Sequence, residues 1–124
     1  MVAIYKICAA DEWTLALRSG KYEGSDVDQH DGYIHFSTRD QVSETAAKHF
    51  SGRDRLVLVK VDADRLGNAL RWEPSRAGAL FPHLYAALDA STVAWVKELP
   101  DGEAREAALA SSALDRPAHE EGWR

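Results

Sequence analysis

The sequence predicts an α+β domain, on two observations: its strand-like and helix-like stretches do not alternate regularly, and its later half is mostly strands. The order is strand, helix, strand, helix and then a run of strands, which is not the pattern of a doubly wound parallel sheet. At 124 residues the chain is long enough for one core without disulfides or metal. Residues 1–100 are expected to form that domain, with residues 101–124 a C-terminal helix and polar tail packed on it or trailing from it.

In chain order, Val2 to Cys8 alternates Ala3, Tyr5 and Ile7 against Ile4, Lys6 and Cys8, as a strand does. Lys6 is the odd residue there, and an edge-strand lysine that discourages aggregation is its simplest reading. A short helix opens at Asp11, presents Trp13, Ala16 and Leu17 on one face and ends at Gly20. Lys21 to Asp31 is polar, contains glycine and lacks periodicity, so it reads as a surface loop. Its tyrosine, Tyr22, either anchors the loop on the core or stacks on a flat ligand ring, and His30 reads as a solvated loop residue.

The stretch Asp31-Gly32-Tyr33-Ile34-His35-Phe36-Ser37-Thr38 reads as a strand with Tyr33, His35 and Ser37 on one face and Ile34 and Phe36 on the core face. Thr38 and Gln41 have capping-box spacing, and Val42, Ala46, His49 and Phe50 follow at helical intervals, which predicts a helix from about Thr38. His35 would then lie near the unpaired N–H groups of a helix start, a place suited to an anion such as phosphate.

Leu56 to Val61 is apolar almost throughout and predicts a central strand covered on both faces. Asp62 and Asp64 follow as turn formers. Ala69 to Glu73 is another strand, closed by Pro74 and followed by a loop at Ser75-Arg76-Ala77-Gly78. Phe81 to Tyr85 starts the next, with Pro82 expected at a beginning or an edge and with Phe81, His83 and Tyr85 opposite Leu84, Ala86 and Leu88. Val93 to Leu99 is a last strand stopped by Pro100, and Glu103 to Ala110 is a helix.

Fifteen basic against twenty acidic residues give a formal charge of −5, which argues against extended nucleic-acid or anionic-membrane binding. The single cysteine, Cys8, has no intramolecular partner, and no segment has the signature of a signal peptide or a membrane span, so a cytoplasmic protein is expected. There is no Gly-x-Ser-x-Gly elbow, phosphate loop or dinucleotide fingerprint, and no local metal-ligand spacing, so no metal is expected. Two strands each offer a histidine and a tyrosine on one face, His35 with Tyr33 and His83 with Tyr85, and Glu73 ends the strand between them in sequence. If those faces meet, they line one pocket for an organic ligand, and a small anionic one is compatible with the net charge.

Ile4-Tyr5-Lys6-Ile7, Trp13, Gly20-x-Tyr22, Asp28-x-x-Asp31-Gly32-Tyr33-Ile34-His35-Phe36-Ser37, Trp72-Glu73 and Phe81-Pro82-His83-Leu84-Tyr85 occur in the order found in a small bacterial family, domain of unknown function 952, which the chain resembles from about Ile4 to Leu99. That family is more distantly similar to the ADP-ribosyltransferase superfamily. The resemblance implies a split, bent, mainly antiparallel sheet core with two or three helices, holding NAD or a related nucleotide in a cleft as the substrate of a transferase or glycohydrolase. It places Lys6 where the superfamily commonly has a ribose-contacting histidine, His35 where many members have an aromatic residue beside the nicotinamide, and His83 near the place of a catalytic glutamate. It further implies that His35 and His83 position ribose and nicotinamide, Tyr22 and Tyr85 stack, Lys6 and Ser37 contact polar groups, and Glu73 supplies the carboxylate. A non-catalytic domain of the same fold that senses a small ligand or binds a protein is the second reading.

Overall fold

The computed structural model describes residues 2–116. The chain is α+β, with three antiparallel sheets and four α-helices among the described residues. The first sheet holds β4 (Ser37–Thr38), β1 (Ala3–Ala9), β5 (Leu56–Asp62) and β9 (Val93–Leu99) in that order. A second pairs β2 (Lys21–Tyr22) with β8 (Leu88–Asp89), and a third holds β3 (Ile34–His35), β7 (Leu80–Leu84) and β6 (Leu70–Pro74) in that order.

The apolar run at β5 becomes a strand flanked on both sides and buried on both faces. Val57, Val59 and Val61 face a core shared with Ile4 and Cys8 of β1, Trp13, Tyr22, Ile34, Phe36, Leu84 and Leu88. Leu56 and Leu58 face a second core with Tyr5, Ile7, Val42, Ala46, Leu99, Leu109 and Leu114. The four-stranded sheet therefore lies between the two smaller sheets with α1 (Ala10–Ser19) on one side and α3 (Val42–His49) with α4 (Glu103–Leu109) on the other.

Helix α1 starts at Ala10, one residue before the expected Asp11, which with Glu12 supplies the acidic first turn that the helix dipole favours. Gly20 ends it at φ 87°, where glycine carries no Cβ penalty, and its N–H reaches Ala16 O. Trp13 and Ala16 are buried, but Leu17 is exposed. On the far side Arg105, almost fully buried, donates to the carbonyls of Phe50, Arg53 and Pro100 and ties α4 to the segment after α3. Asp62 caps the turn after β5 by accepting from Asp64 N at 3.0 Å, the turn-forming role expected of it. Residues 117–124 of the expected tail lie outside the described residues.

Four expectations need correction. The expected loop at Lys21 to Asp31 contains β2 and a short helix, α2 (Asp26–Asp31), whose Ser25 and Asp28 form a capping box. Six residues are too few to show a helical period. The strand expected over Asp31 to Thr38 is two strands in two different sheets, broken at Phe36, whose N–H donates to Pro82 O at 3.0 Å. Helix α3 begins at Val42, since residues 39–41 form a turn in which Gln41 N donates to Thr38 O and Gln41 Oε1 accepts from Thr38 N. His35 thus lies seven residues before α3, whose N-terminal N–H groups are not the ones beside it; the helix turn it meets is that of α2, through Asp28. Finally, Pro82 occupies the middle strand of its sheet. Its carbonyl accepts from Phe36 N just past the end of β3, and its nitrogen lies on that same side, so the missing N–H falls at the margin of the β3 pairing and not against β6.

Candidate functional site

The site is built on a register. In the β3–β7 pair His35 lies directly opposite His83, which puts both side chains on one face of the three-stranded sheet. Their ring centroids are 5.5 Å apart. Tyr33, two residues before His35 and so on the same face, stacks on His83 at 4.1 Å and also meets His35 at 4.6 Å and Tyr85 at 5.1 Å. Four rings form one continuous array.

Each histidine is oriented by a carboxylate. His83 Nδ1 donates to Glu73 Oε1 at 2.7 Å, and the same oxygen accepts from Tyr85 OH at 2.7 Å. Those two hydrogen bonds, the histidine's first, hold the Glu73 pKa below its ordinary value, and Tyr85 is correspondingly raised. His83 is nearly buried beneath Tyr33, whereas Glu73 is about one-third exposed, so the histidine acts by fixing the carboxylate. Arg71, paired across the ladder with His83, places its guanidinium 4.7 Å from the centre of the exposed Tyr85 ring.

His35 is held more deeply. Asp28 Oδ1 accepts from its Nδ1 at 2.6 Å and from its backbone N–H at 3.2 Å, and Asp28 Oδ2 accepts from Ser25 N at 2.9 Å and from Lys6 Nζ at 2.7 Å. Lys6 and Asp28 are 6% and 2% exposed, an ion pair taken out of water and completed by three further donors. Burial alone would raise the Asp28 pKa, but the His35 hydrogen bond and the charge and hydrogen bond of Lys6 outweigh it and hold the carboxyl well below the usual range. Gly24, at φ 101°, allows this packing, because a Cβ there would stand 2.7 Å from Asp28 Cβ. The second nitrogen of His35 meets Asp31 Oδ2 at 3.0 Å.

Of the residues expected at the site, His35, His83, Glu73 and Tyr85 come together. Lys6 joins them indirectly: it points from β1 into the space between the sheets and acts through Asp28, and the expectation of an edge-strand lysine does not hold because β1 is an interior strand. Tyr22 does not join. It is 2% exposed, pairs with Leu88 and packs on Trp13 at 5.7 Å, the anchoring alternative and not a stacking position. Ser37 does not join either: beyond the break at Phe36 it lies opposite Tyr5, and its hydroxyl contacts Thr45 of α3 at 2.8 Å. His30 is exposed, as expected, beside Asp31 at 3.1 Å.

Sequence reasoning gave no role to Asp28, Asp31 or Arg71, and placed Tyr33 in the pocket beside His35 without a role of its own. For Asp28 a signal was present, since Ser25-x-x-Asp28 has capping spacing. For Tyr33 the alternation already placed it beside His35. Among the described residues no group of three or more histidine, cysteine or acidic side chains is arranged to hold a metal ion. Nor is any helix among them long and apolar enough to cross a membrane.

Comparison with known proteins gives a family and no activity. No curated protein matches. The crystal structure of protein CC0527 from Caulobacter crescentus is 48% identical over 82% of this chain and 89% of its own, with a TM-score of 0.80. The solution NMR structure of CC0527 is 48% identical over 83% and 89%, with a TM-score of 0.74, and the V27M/L66M double mutant of CC0527 has a TM-score of 0.79 at 46% identity. Residues 7–96, which include every member of the ring array, match the model of the family described as protein of unknown function, DUF952, and the chain belongs to that family.

Proposed function

We propose that the ring array binds NAD or a related nucleotide in a cleft of an ADP-ribosyltransferase-like fold, and that ADP-ribose is transferred or hydrolysed there, in the cytoplasm. One observation carries this reading: Tyr33, His35, His83 and Tyr85 form a contiguous cluster of rings, Tyr33 stacked on His83 and tilted against the other two, directly beside a Glu73 carboxylate that is fixed by two donors on one oxygen. An aromatic surface suits a nicotinamide or adenine ring. A fixed carboxylate suits the ribose.

In that reaction the bond from ribose C1′ to the nicotinamide nitrogen breaks, and its electron pair neutralises the pyridinium ring. The ribose develops oxocarbenium character, and a lone pair from water or an acceptor completes the new bond as that nucleophile releases a proton. Glu73 stabilises the developing cation, His83 and Tyr85 keep its charge in place, and Asp28 with Lys6 fixes the His35 ring. Glu73, already ionised below the ordinary carboxylate range, is charged at neutral pH.

The test combines calorimetric binding of ADP-ribose with release of nicotinamide from NAD. Glu73→Gln keeps binding and lowers release by about two to three orders of magnitude, the scale of one lost electrostatic contact. His83→Ala weakens binding and release together, because it loosens a group that serves both states. A parent protein that binds ADP-ribose but releases no nicotinamide to water or to any acceptor tried is a ligand-sensing domain. One that shows no rise in melting temperature at millimolar NAD is an interaction module.

A further inference from the structure

His35 contacts a carboxylate oxygen through each ring nitrogen, Asp28 Oδ1 at 2.6 Å and Asp31 Oδ2 at 3.0 Å. Ionised carboxylates only accept, and a neutral imidazole has a single N–H, so both contacts are hydrogen bonds only when both nitrogens carry hydrogen. A protonated His35 donates on both sides, through Nδ1 to Asp28 and through Nε2 toward Asp31.

The two carboxylates are held very differently. Asp28 is 2% exposed and accepts four hydrogen bonds, so it is part of the frame. Asp31 is the last residue of α2, about one-third exposed, and its other oxygen meets His30, whose side chain is 88% exposed. Around the imidazolium, Lys6 and Asp28 offset each other. Asp31 alone balances His35. If it turns outward, the site carries one uncompensated positive charge and one aimed N–H at the edge of the ring array.

We propose that the Nε2 side of His35 is an oxyanion subsite, occupied by the Asp31 carboxylate in this structure and taken by a phosphate oxygen of the ligand when Asp31 is displaced. Beside Nε2 one anionic oxygen takes the place of another, while the displaced Asp31 carboxylate turns to solvent and keeps its charge there. Asp28 is too deeply bonded to leave, which confines the exchange to the outer nitrogen. The carrier of the phosphate is the nucleotide of the preceding section, and to that extent the inference rests on that reading. The subsite adds a specificity: nucleotides with a free or bridging phosphate are held, and phosphate-free nucleosides are not.

The experiment uses the whole chain with inorganic pyrophosphate, and separately with ADP-ribose and adenosine. Histidine side-chain nitrogen resonances are followed by two-bond proton–nitrogen correlation, and affinities by calorimetry. Pyrophosphate is expected to shift His35 Nε2, and Asp31→Asn and Asp31→Ala are expected to tighten its binding about three- to fivefold, the ratio that one exposed ion pair is worth. Thermal unfolding checks that both variants fold. Equal pyrophosphate affinity in folded parent and variants, or binding that leaves His35 Nε2 unmoved, overturns the subsite. If pyrophosphate follows the expected pattern while NAD and ADP-ribose do not bind, the nucleotide reading fails and the subsite stands. If ADP-ribose binds and is indifferent to Asp31, the reverse holds.

Discussion

Strand β1 carries two adjacent polar side chains to two different aspartates, one on each face of the main sheet. Lys6 points toward the smaller sheets and pairs with Asp28, and Tyr5 points the other way and donates to Asp115 Oδ1 at 3.2 Å. Asp115 also receives Lys60 Nζ at 2.9 Å and Arg39 Nη2, while Lys97 Nζ holds the carbonyls of Leu114 and Arg116, each at 2.6 Å. Both clusters are a carboxylate gathered by cations. They differ in water: Asp28 is 2% exposed and Asp115 is 36% exposed. The cluster at Asp115 closes a C-terminal segment over the sheet, where solvent can replace any lost partner. The cluster at Asp28 fixes the orientation of a histidine, where nothing can.

That contrast sets the order of expected effects. Asp28→Ala leaves Lys6 buried without a partner and should destabilise the protein by about 3–5 kcal/mol in urea unfolding, the cost of breaking a buried pair. A loss below about 1 kcal/mol would mean that water reaches this cluster as freely as the other. Lys6→Met should cost less, about 1–3 kcal/mol, because Asp28 keeps the donors from Ser25 and His35. If it costs as much as Asp28→Ala, the lysine and not the hydrogen-bond frame carries the charge.

Acid denaturation sharpens the comparison. A carboxyl whose folded pKa lies below its ordinary value adds stability that is complete above the ordinary value and disappears as pH falls through the folded one. Burial opposes the shift at Asp115, but the Lys60 and Arg39 contacts bring it down to about 2, so its contribution fades between about pH 4 and pH 2. Asp28 is held lower, and its contribution should outlast that of Asp115 as acid is added. Stability measured against pH should therefore lose its dependence at the most acidic end in Asp28→Asn, and lose only a smaller part of it, between about pH 4 and pH 2, in Asp115→Asn. The smallest effect is on stability at neutral pH: Asp115→Asn should cost less than about 1 kcal/mol and less still in high salt.

The same contrast separates what was legible in the sequence from what was not. The site's floor could be read: alternation alone put His35 and Tyr33 on one face and His83 and Tyr85 on another, and the register brought those faces together. The β5 strand could be read because an apolar run with few polar interruptions has only one comfortable place, the centre. What could not be read depended on distant partners. Helix α2 is short, and its Asp28 is fixed by Lys6, 22 positions earlier, and by His35, 7 positions later. Nor does alternation register that a strand changes sheets, which is why Ser37 fell on the wrong side of Phe36. Tyr22 sits among polar neighbours in sequence, yet Trp13 and Leu88 enclose it.

The double duty of Asp28 also has a kinetic consequence. Its Oδ2 accepts the Ser25 amide that starts α2, and its Oδ1 accepts the His35 amide in β3, so two backbone protons ten positions apart in sequence share one carboxylate. A helix this short has no stability of its own, because nucleation costs more than one turn returns. The Ser25 and His35 amides should therefore open to deuterium exchange as a single event, at one rate, and slow together when a ligand occupies the ring array. Their exchange rate becomes a clock for assembly of the site, readable without knowing the substrate.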